Sequence, residues 1–216
     1  MWSASLGNLG FELSPSELIT AAILAAEAAA KRFPGGKIFP VGDAALSDAL
    51  NSRGLRLIEE SEAEQADCVV MGMDSSFDQR RLGLVCRQIW GGAFFIATNE
   101  DRRRPAEHGY IPGTGPMVKA VAWATGVEPL VVGKPSASAA LSALEKLGLP
   151  AAHVAMVGDQ PETDIAMAKA LGMMTILASN DGKTRIDLAS LPPAQRPDLA
   201  LAHLMELLGW LDKGQS

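Results

Sequence analysis

Apolar positions recur along this chain at two spacings, one helical and one in short continuous runs, and the two alternate over most of its length. Ser14-Pro15-Ser16-Glu17 has the form of a capping box, with Ser14 as N-cap, Pro15 at the first helical position and Glu17 reaching back. It predicts a helix through the Ala-rich stretch to about Arg32, where Pro34-Gly35-Gly36 stops it. The run from Lys37 to Val41 then reads as a strand, residues 44–52 as a helix ended by Gly54, and Ala66 to Gly72 as a buried strand. A helix from Gln79 to Trp90 and a strand from Ala93 to Ala97 follow, after which Pro, Gly and charge predict loop from Thr98 to Gly115.

A more regular rhythm begins at Pro116. Helices to Thr125, from Ser136 to Leu147 and near Asp164 to Leu171 are each closed by a glycine (Gly126, Gly148, Gly172). Between them lie apolar runs at Leu130–Val132, Val154–Val157, Met174–Ala178 and Leu199–Ala202, and a last helix ends at Trp210. Such alternation predicts a parallel sheet covered by helices on both faces.

The 216 residues fit one large domain, or a core with an inserted cap. A net charge of −6 speaks against a nucleic-acid surface, which needs clustered Lys and Arg. The one basic cluster, Arg102-Arg103-Arg104, sits in the Pro- and Gly-rich stretch and reads as a solvated loop, with an anionic contact as the lesser alternative. Cys68 and Cys86 are too few for a disulfide framework or a zinc site, and are expected to be reduced thiols of a cytoplasmic protein. The apolar run Ala21–Ala30 is broken by Glu27 and is far too short to span a bilayer, so no membrane partner is expected.

Candidate chemistry lies at two late strand ends, where open parallel sheets bind ligands. After Val131-Val132 comes Gly133-Lys134-Pro135, which puts an ammonium just ahead of a helix N-terminus, a place that attracts anions. After Val154–Val157 comes Gly158-Asp159-Gln160-Pro161-Glu162-Thr163-Asp164, which offers two carboxylates five residues apart. Few protein oxygens with room for water suit Mg²⁺, and Mg²⁺ beside a lysine suits phosphoryl charge. Taken singly, each loop also reads as a plain turn. Together, in this order, they are more specific.

At this point the sequence resembles a family. VVGKP (131–135) followed by VAMVGDQPETDI (154–165) is similar to the third and fourth motifs of haloacid dehalogenase-type phosphatases. The likeness extends to the subgroup with a large α/β cap, which includes nitrophenyl, phosphoglycolate and pyridoxal phosphatases. It is carried by CVVMGMDSSFD (68–78), FFIATNED (94–101), GYIPGTGPMVKAV (109–121), GMMTILAS (172–179) and PDLAL (197–201). The resemblance implies a Rossmann-like parallel core with an inserted α/β cap. Residues 1–35 are then expected as a remnant of the core, 36–112 as the cap, and 113–216 as the core carrying both motifs. It implies a Mg²⁺-dependent phosphatase of small phosphorylated metabolites. Lys134 would neutralise nucleophile and phosphate charge, Asp159 would bind Mg²⁺, and Asp164 would support that ion. Asn99, Asp101 and Tyr110 would face the leaving group.

Family members begin with a strand ending in Asp-x-Asp, the nucleophile and its acid partner, and a second strand ending in Thr or Ser. This chain opens on a segment similar to the one that follows, and the core is expected to be incomplete at its N-terminus. Of three imitations of the missing motifs, Asp74 has Gly72 where the nucleophile would stand, and Gly42-Asp43 and Thr98-Asn99 lie in the cap stretch in the wrong order. The chain is therefore expected to be inactive by itself. The alternatives are a shortened true phosphatase, a catalytically dead phosphate- or partner-binding module on the same fold, and a half-enzyme completed by another polypeptide. Val154–Val157, which holds no Pro or charge, would become a sheet edge, so a homo-oligomer is expected.

Overall fold

The computed structural model describes residues 10, 13–14, 17–59, 64–134, 136–179 and 187–213. The chain divides into two compact units, Met1–Gly133 and Lys134–Ser216.

In the first unit, helices α1 (Ala21–Arg32) and α2 (Ala44–Ser52) flank strand β1 (Lys37–Val41). Strands β2 (Arg56–Leu57) and β3 (Cys68–Met71), helix α3 (Gln79–Trp90) and strand β4 (Phe94–Ala97) follow. A hairpin of β5 (Arg103–Ala106) and β6 (Gly109–Pro112) leads to helix α4 (Thr114–Thr125) and strand β7 (Leu130–Val131). Five of these strands form one sheet in the order β2-β1-β3-β4-β7, and every pairing in it is parallel. The middle strand, β3, is buried at all four positions, as its unbroken apolar sequence requires. Phe39, Val69 and Phe95 stand in register across three strands and pack with Val85 and Ile89 of α3 and Val118 of α4. Each such side chain contributes about 1.5–3 kcal/mol by leaving water. Alternate residues Ile38, Val70 and Ile96 are equally buried on the other face.

Pro40 sits inside β1, where a missing N–H would ordinarily break a ladder. Backbone groups of Gly36 and Ile38 point toward β2, so Pro40 does too, by the alternation of the strand. The register of β2 covers only Lys37 and Ile38, so the ladder ends ahead of Pro40.

The second unit runs through helix α5 (Ser138–Leu147), strand β8 (Ala155–Gly158), a π-helical turn at Pro161–Ile165, helix α6 (Ala166–Ala170) and strand β9 (Met174–Ala178). Strand β10 (Leu199–Leu201) and helix α7 (Glu206–Lys213) complete it. The three strands form a parallel sheet in the order β10-β9-β8. Asp198 fastens β10 to β9: its carboxylate accepts from the Thr175 backbone N–H at 2.9 Å and from the Thr175 hydroxyl at 2.6 Å. Together with the Lys169 ammonium, these donors hold the Asp198 carboxyl below the usual carboxylate range. Met156 of β8 packs with Ala140 of α5 and Met167 and Ala168 of α6.

Several expectations are corrected. Glu17 does reach back to the Ser14 N–H at 2.8 Å, but α1 starts at Ala21, capped by the Thr20 hydroxyl, which accepts from Ile23 N at 3.2 Å. Pro15 and Ser16 lie outside the described residues. The stretch read as loop contains the β5–β6 hairpin, whose turn closes through Gly109 at φ 88°. Domain bounds were expected at residues 35 and 112. Helix α4 and strand β7 belong to the first unit, because β7 pairs with β4. So does α1, expected in the core: its Arg32 guanidinium lies 4.2 Å from the Phe94 ring centroid on β4.

Among the described residues no helix is long and apolar enough to cross a membrane, and both cysteines are free and buried.

Candidate active site

Strand β8 delivers its chain to Gly158-Asp159, and the next turn is wider than an α-helical one. Asp164 N and Ile165 N both donate to Gln160 O, at 2.9 and 3.4 Å. A π-turn of this kind adds a residue to the helical circuit and re-aims the side chains that follow, which is why such turns gather at functional sites. Here it turns Asp164 inward: its side chain is 2% exposed. One carboxylate oxygen, Oδ1, accepts from Lys134 Nζ at 2.8 Å, and Oδ2 accepts from Gln160 N at 3.3 Å. The carboxyl group lies directly on Gly158, where an added Cβ would fall 2.4 Å from Asp164 Cβ and 2.5 Å from Oδ2.

The resulting ion pair is one-sided, since the Lys134 side chain is 45% exposed. An ammonium has three donors, and one bond to Asp164 leaves Lys134 able to offer the others to a ligand from the solvent side. Asp159 is half-buried, five residues ahead of Asp164 on the same loop. Lys134 and Asp164 are thus brought together across 30 residues of sequence.

Asn99, Asp101 and Tyr110 belong to the first unit. The Asn99 carboxamide oxygen accepts from Asp101 N at 3.2 Å, forming an Asx turn at the end of β4. Three glycines enclose that turn. A Cβ at Gly133, Gly115 or Gly113 would lie 2.3, 2.5 and 2.3 Å from the carbonyl oxygens of Thr98, Glu100 and Asp101 respectively. Gly115 N also donates to Asp101 O at 2.9 Å. Tyr110 is 61% exposed on β6, with the Arg103 guanidinium 4.1 Å from its ring centroid. The arginine cluster is therefore part strand, with one member stacked on an aromatic face.

The imitation motifs have structural work instead. Asp43 caps α2 by accepting from Leu46 N at 3.1 Å. Asp74 is buried, accepts from Ser76 N at 2.8 Å and forms an ion pair with Arg81. Sequence reasoning missed the positional roles of Gly158 and of the three enclosing glycines. The triplets GTG (113–115), VGK (132–134) and VGD (157–159) are their trace in the sequence.

Among the described residues, no cluster of three or more His, Cys, Asp or Glu side chains comes together to hold a metal ion. Asp159 and Asp164 could still serve Mg²⁺, which keeps several waters and is commonly held through one or two carboxylates. Asp164 is already engaged on both oxygens, by Lys134 Nζ and Gln160 N.

Comparison with known proteins places this parallel α/β architecture in a family. The HAD-hydrolase-like family matches residues 131–207. An acid sugar phosphatase of Staphylococcus saprophyticus is 35% identical over 193 residues, covering 88% of this chain and 73% of that protein. Among solved structures, a p-nitrophenyl phosphatase from Archaeoglobus fulgidus superposes with a TM-score of 0.84 at 33% identity, over 97% of this chain and 80% of that one. A glycerol phosphate phosphatase from Mycobacterium tuberculosis, solved in complex with magnesium, gives a TM-score of 0.84 at 31% identity, over 95% of this chain and 62% of that one. The chain belongs to the haloacid dehalogenase superfamily, among its phosphatases.

Proposed function

We propose that the second unit carries the phosphate-binding and metal-binding side of a Mg²⁺-dependent phosphate-monoester hydrolase. The observation behind this reading is the Lys134–Asp164 pair at the end of β8, with Asp159 on the same loop. Lys134 neutralises phosphoryl charge with the donors it does not give to Asp164. Asp164 holds the Lys134 ammonium in place, and the buried carboxylate fixes one end of an otherwise flexible side chain. Asp159 would bind the ion, with Asp164 supporting it. When bound, Mg²⁺ would supply electrophilic stabilisation of phosphoryl oxygen charge.

The first unit, from α1 through β7, acts in this reading as the cap, with Asn99, Asp101 and Tyr110 turned to the leaving group. Small phosphorylated metabolites are the substrate class, a reading supported by relatives named for sugar phosphates and glycerol phosphate. Two buried free thiols, Cys68 and Cys86, favour the cytoplasm.

The 216 residues contain no Asp-x-Asp, so they lack the attacking carboxylate and the acid that protonates the leaving group. These residues alone are proposed to bind phosphate without hydrolysing its esters. Two measurements test this: calorimetric titration with inorganic phosphate in Mg²⁺, and release of p-nitrophenol from its phosphate. Phosphate binding that disappears in Lys134→Met, with turnover no faster than buffer, is the expected result. Binding unchanged in Lys134→Met removes the proposed site. Turnover that vanishes in Asp159→Ala removes the claim of inactivity.

A further inference from the structure

Three consecutive guanidiniums, Arg102, Arg103 and Arg104, open the β5–β6 hairpin of a chain whose net charge is −6. Elsewhere Arg53, Arg56 and Arg81 each meet a carboxylate. Among the described residues none of the three hairpin arginines does, although Asp101 and Glu107 belong to the same segment. The pairing register sorts the hairpin by face. Arg103 stands opposite Pro112 and Pro105 opposite Tyr110, so these four side chains share one face, whereas Arg104 and Ile111 share the other. On the first face the Arg103 guanidinium lies 4.1 Å from the Tyr110 ring centroid. Charge on a small exposed hairpin discourages stray strand pairing, but that purpose needs no ring beneath one of the charges.

We infer that Arg103, stacked on Tyr110, receives a second oxyanion of the substrate, a carboxylate or a second phosphate carried by the leaving group. The inference rests on the reading of the first unit as a cap turned to that group. Its physical basis is the geometry of a stacked guanidinium. The ring covers one face of the planar group and leaves all five N–H donors in the plane, where they match a carboxylate or phosphate bidentately. Stacking also holds a long side chain in place beforehand, so less freedom is lost when an anion arrives. Arg103 and Tyr110 are both exposed, and Pro105 and Pro112 beside them have no polar side-chain atom to compete. The Asn99–Asp101 turn, proposed to face the leaving group, leads directly into this strand. The substrates of the proposed reaction are then small molecules with negative charge at both ends.

The test uses the full chain in excess Mg²⁺ at fixed ionic strength, with propyl phosphate, its analogue bearing a terminal carboxylate, and propane-1,3-diol bisphosphate. In calorimetry at least one two-anion probe should bind about 3–10-fold more tightly than propyl phosphate, between the worth of an exposed ion pair and that of a buried charged bond. Whichever of the two leads identifies the second group. Arg103→Gln should bring the two-anion probes down to the affinity of propyl phosphate. Arg103→Lys, which keeps the charge without the fork, should lose most of the preference, and Tyr110→Leu part of it. Arg104→Gln removes an equal charge from the other face and should leave the preference and the affinity for inorganic phosphate in place. The Arg103 Nε–H resonance, assigned by its absence in Arg103→Gln, should shift with the two-anion probes and stay still with propyl phosphate. That signal separates the two readings: a chain that binds no inorganic phosphate loses the Lys134 site, while an Arg103 shift with the two-anion probes still upholds the second anion. Equal affinity for all three probes with an unmoved Arg103 signal overturns the inference. So does a preference that survives Arg103→Gln, or one lost equally in Arg104→Gln.

Discussion

Gly158 is the residue on which the candidate site is most sensitive to a single methyl group. In Gly158→Ala the new Cβ would lie 2.4 Å from Asp164 Cβ, 2.6 Å from Cγ and 2.5 Å from Oδ2. Ordinary carbon–carbon contacts are about 3.5–4.0 Å, so Asp164 must retreat by roughly 1 Å or β8 must bend. Neither is easy: Asp164 is buried and tied at both oxygens, and Gly158 pairs with Leu177 of β9. Overpacking of this kind costs about 1–3 kcal/mol. The backbone at Gly158 is not left-handed. Alanine therefore restricts the unfolded chain as well, a gain of about 0.4–1 kcal/mol that offsets part of the loss. The expected net loss is about 1–2 kcal/mol, or roughly 2–8 °C in Tm for a chain of this size. A retreat of 1 Å also lengthens the 2.8 Å bond to Lys134, so phosphate affinity should fall together with stability. Thermal unfolding and phosphate calorimetry on the same variant check both. A Tm within 1 °C of the parent, with phosphate binding unchanged, would refute the packing argument, since nothing then yields at Asp164.

Three further outcomes follow from the same contacts. Lys134→Met should destabilise the chain by about 1–3 kcal/mol, less than for a fully buried pair because Lys134 is half exposed; adding Asp164→Asn should recover part of the loss in denaturant unfolding. Asp198 has a depressed folded-state pKa, caused first by the Thr175 hydroxyl, so its contribution is present above the unfolded value of about 3.9 and disappears as pH falls through the lower folded value. Thr175→Val should raise the Asp198 pKa, read by NMR titration, and its stability deficit against the parent should narrow over that acidic window. Burial pushes the Cys68 thiol up to about 12 and raises Cys86 as well, so neither should react with a thiol reagent at pH 8 until denaturant is added.

The fold was legible where local signals and burial agree. The runs at 68–71, 94–97 and 174–178 are apolar at almost every position because both their faces are covered, and each is a strand. Helix α3, read from Gln79 to Trp90, has those bounds, with Asp78 as its N-cap and Gly91 as its C-cap. Legibility failed where tertiary contacts decide. Arg-Arg-Pro-Ala has no alternation and contains a proline, yet it forms β5 because Gly109 allows the tight turn and Arg103 stacks on Tyr110 across the hairpin. The sheet to which β7 belongs could not be read: three apolar residues before a Gly-Lys fit either sheet, and only the ladder to β4 decides.

At the candidate site, residue types were readable and their geometry was not. The loop read as two carboxylates for one ion, because spacing shows how far apart residues are along a chain and not which way they face. A π-turn carries one residue more than an α-turn, and one residue corresponds to about 100° of helical rotation. That rotation is what separates the two carboxylates. Asp159, ahead of the turn, stays half-buried at the strand end, whereas Asp164, inside it, is swung onto Gly158 and into the bond with Lys134. Gly158 and the π-turn are thus two parts of one device: the wide turn brings the carboxylate in, and the missing Cβ leaves room for it. Either part alone would fail, since a regular turn would aim Asp164 elsewhere and a side chain at 158 would exclude it. The pairing of a glycine at the strand end with a carboxylate six residues later is therefore a spatial requirement, and Lys134 is held in place only while both are present.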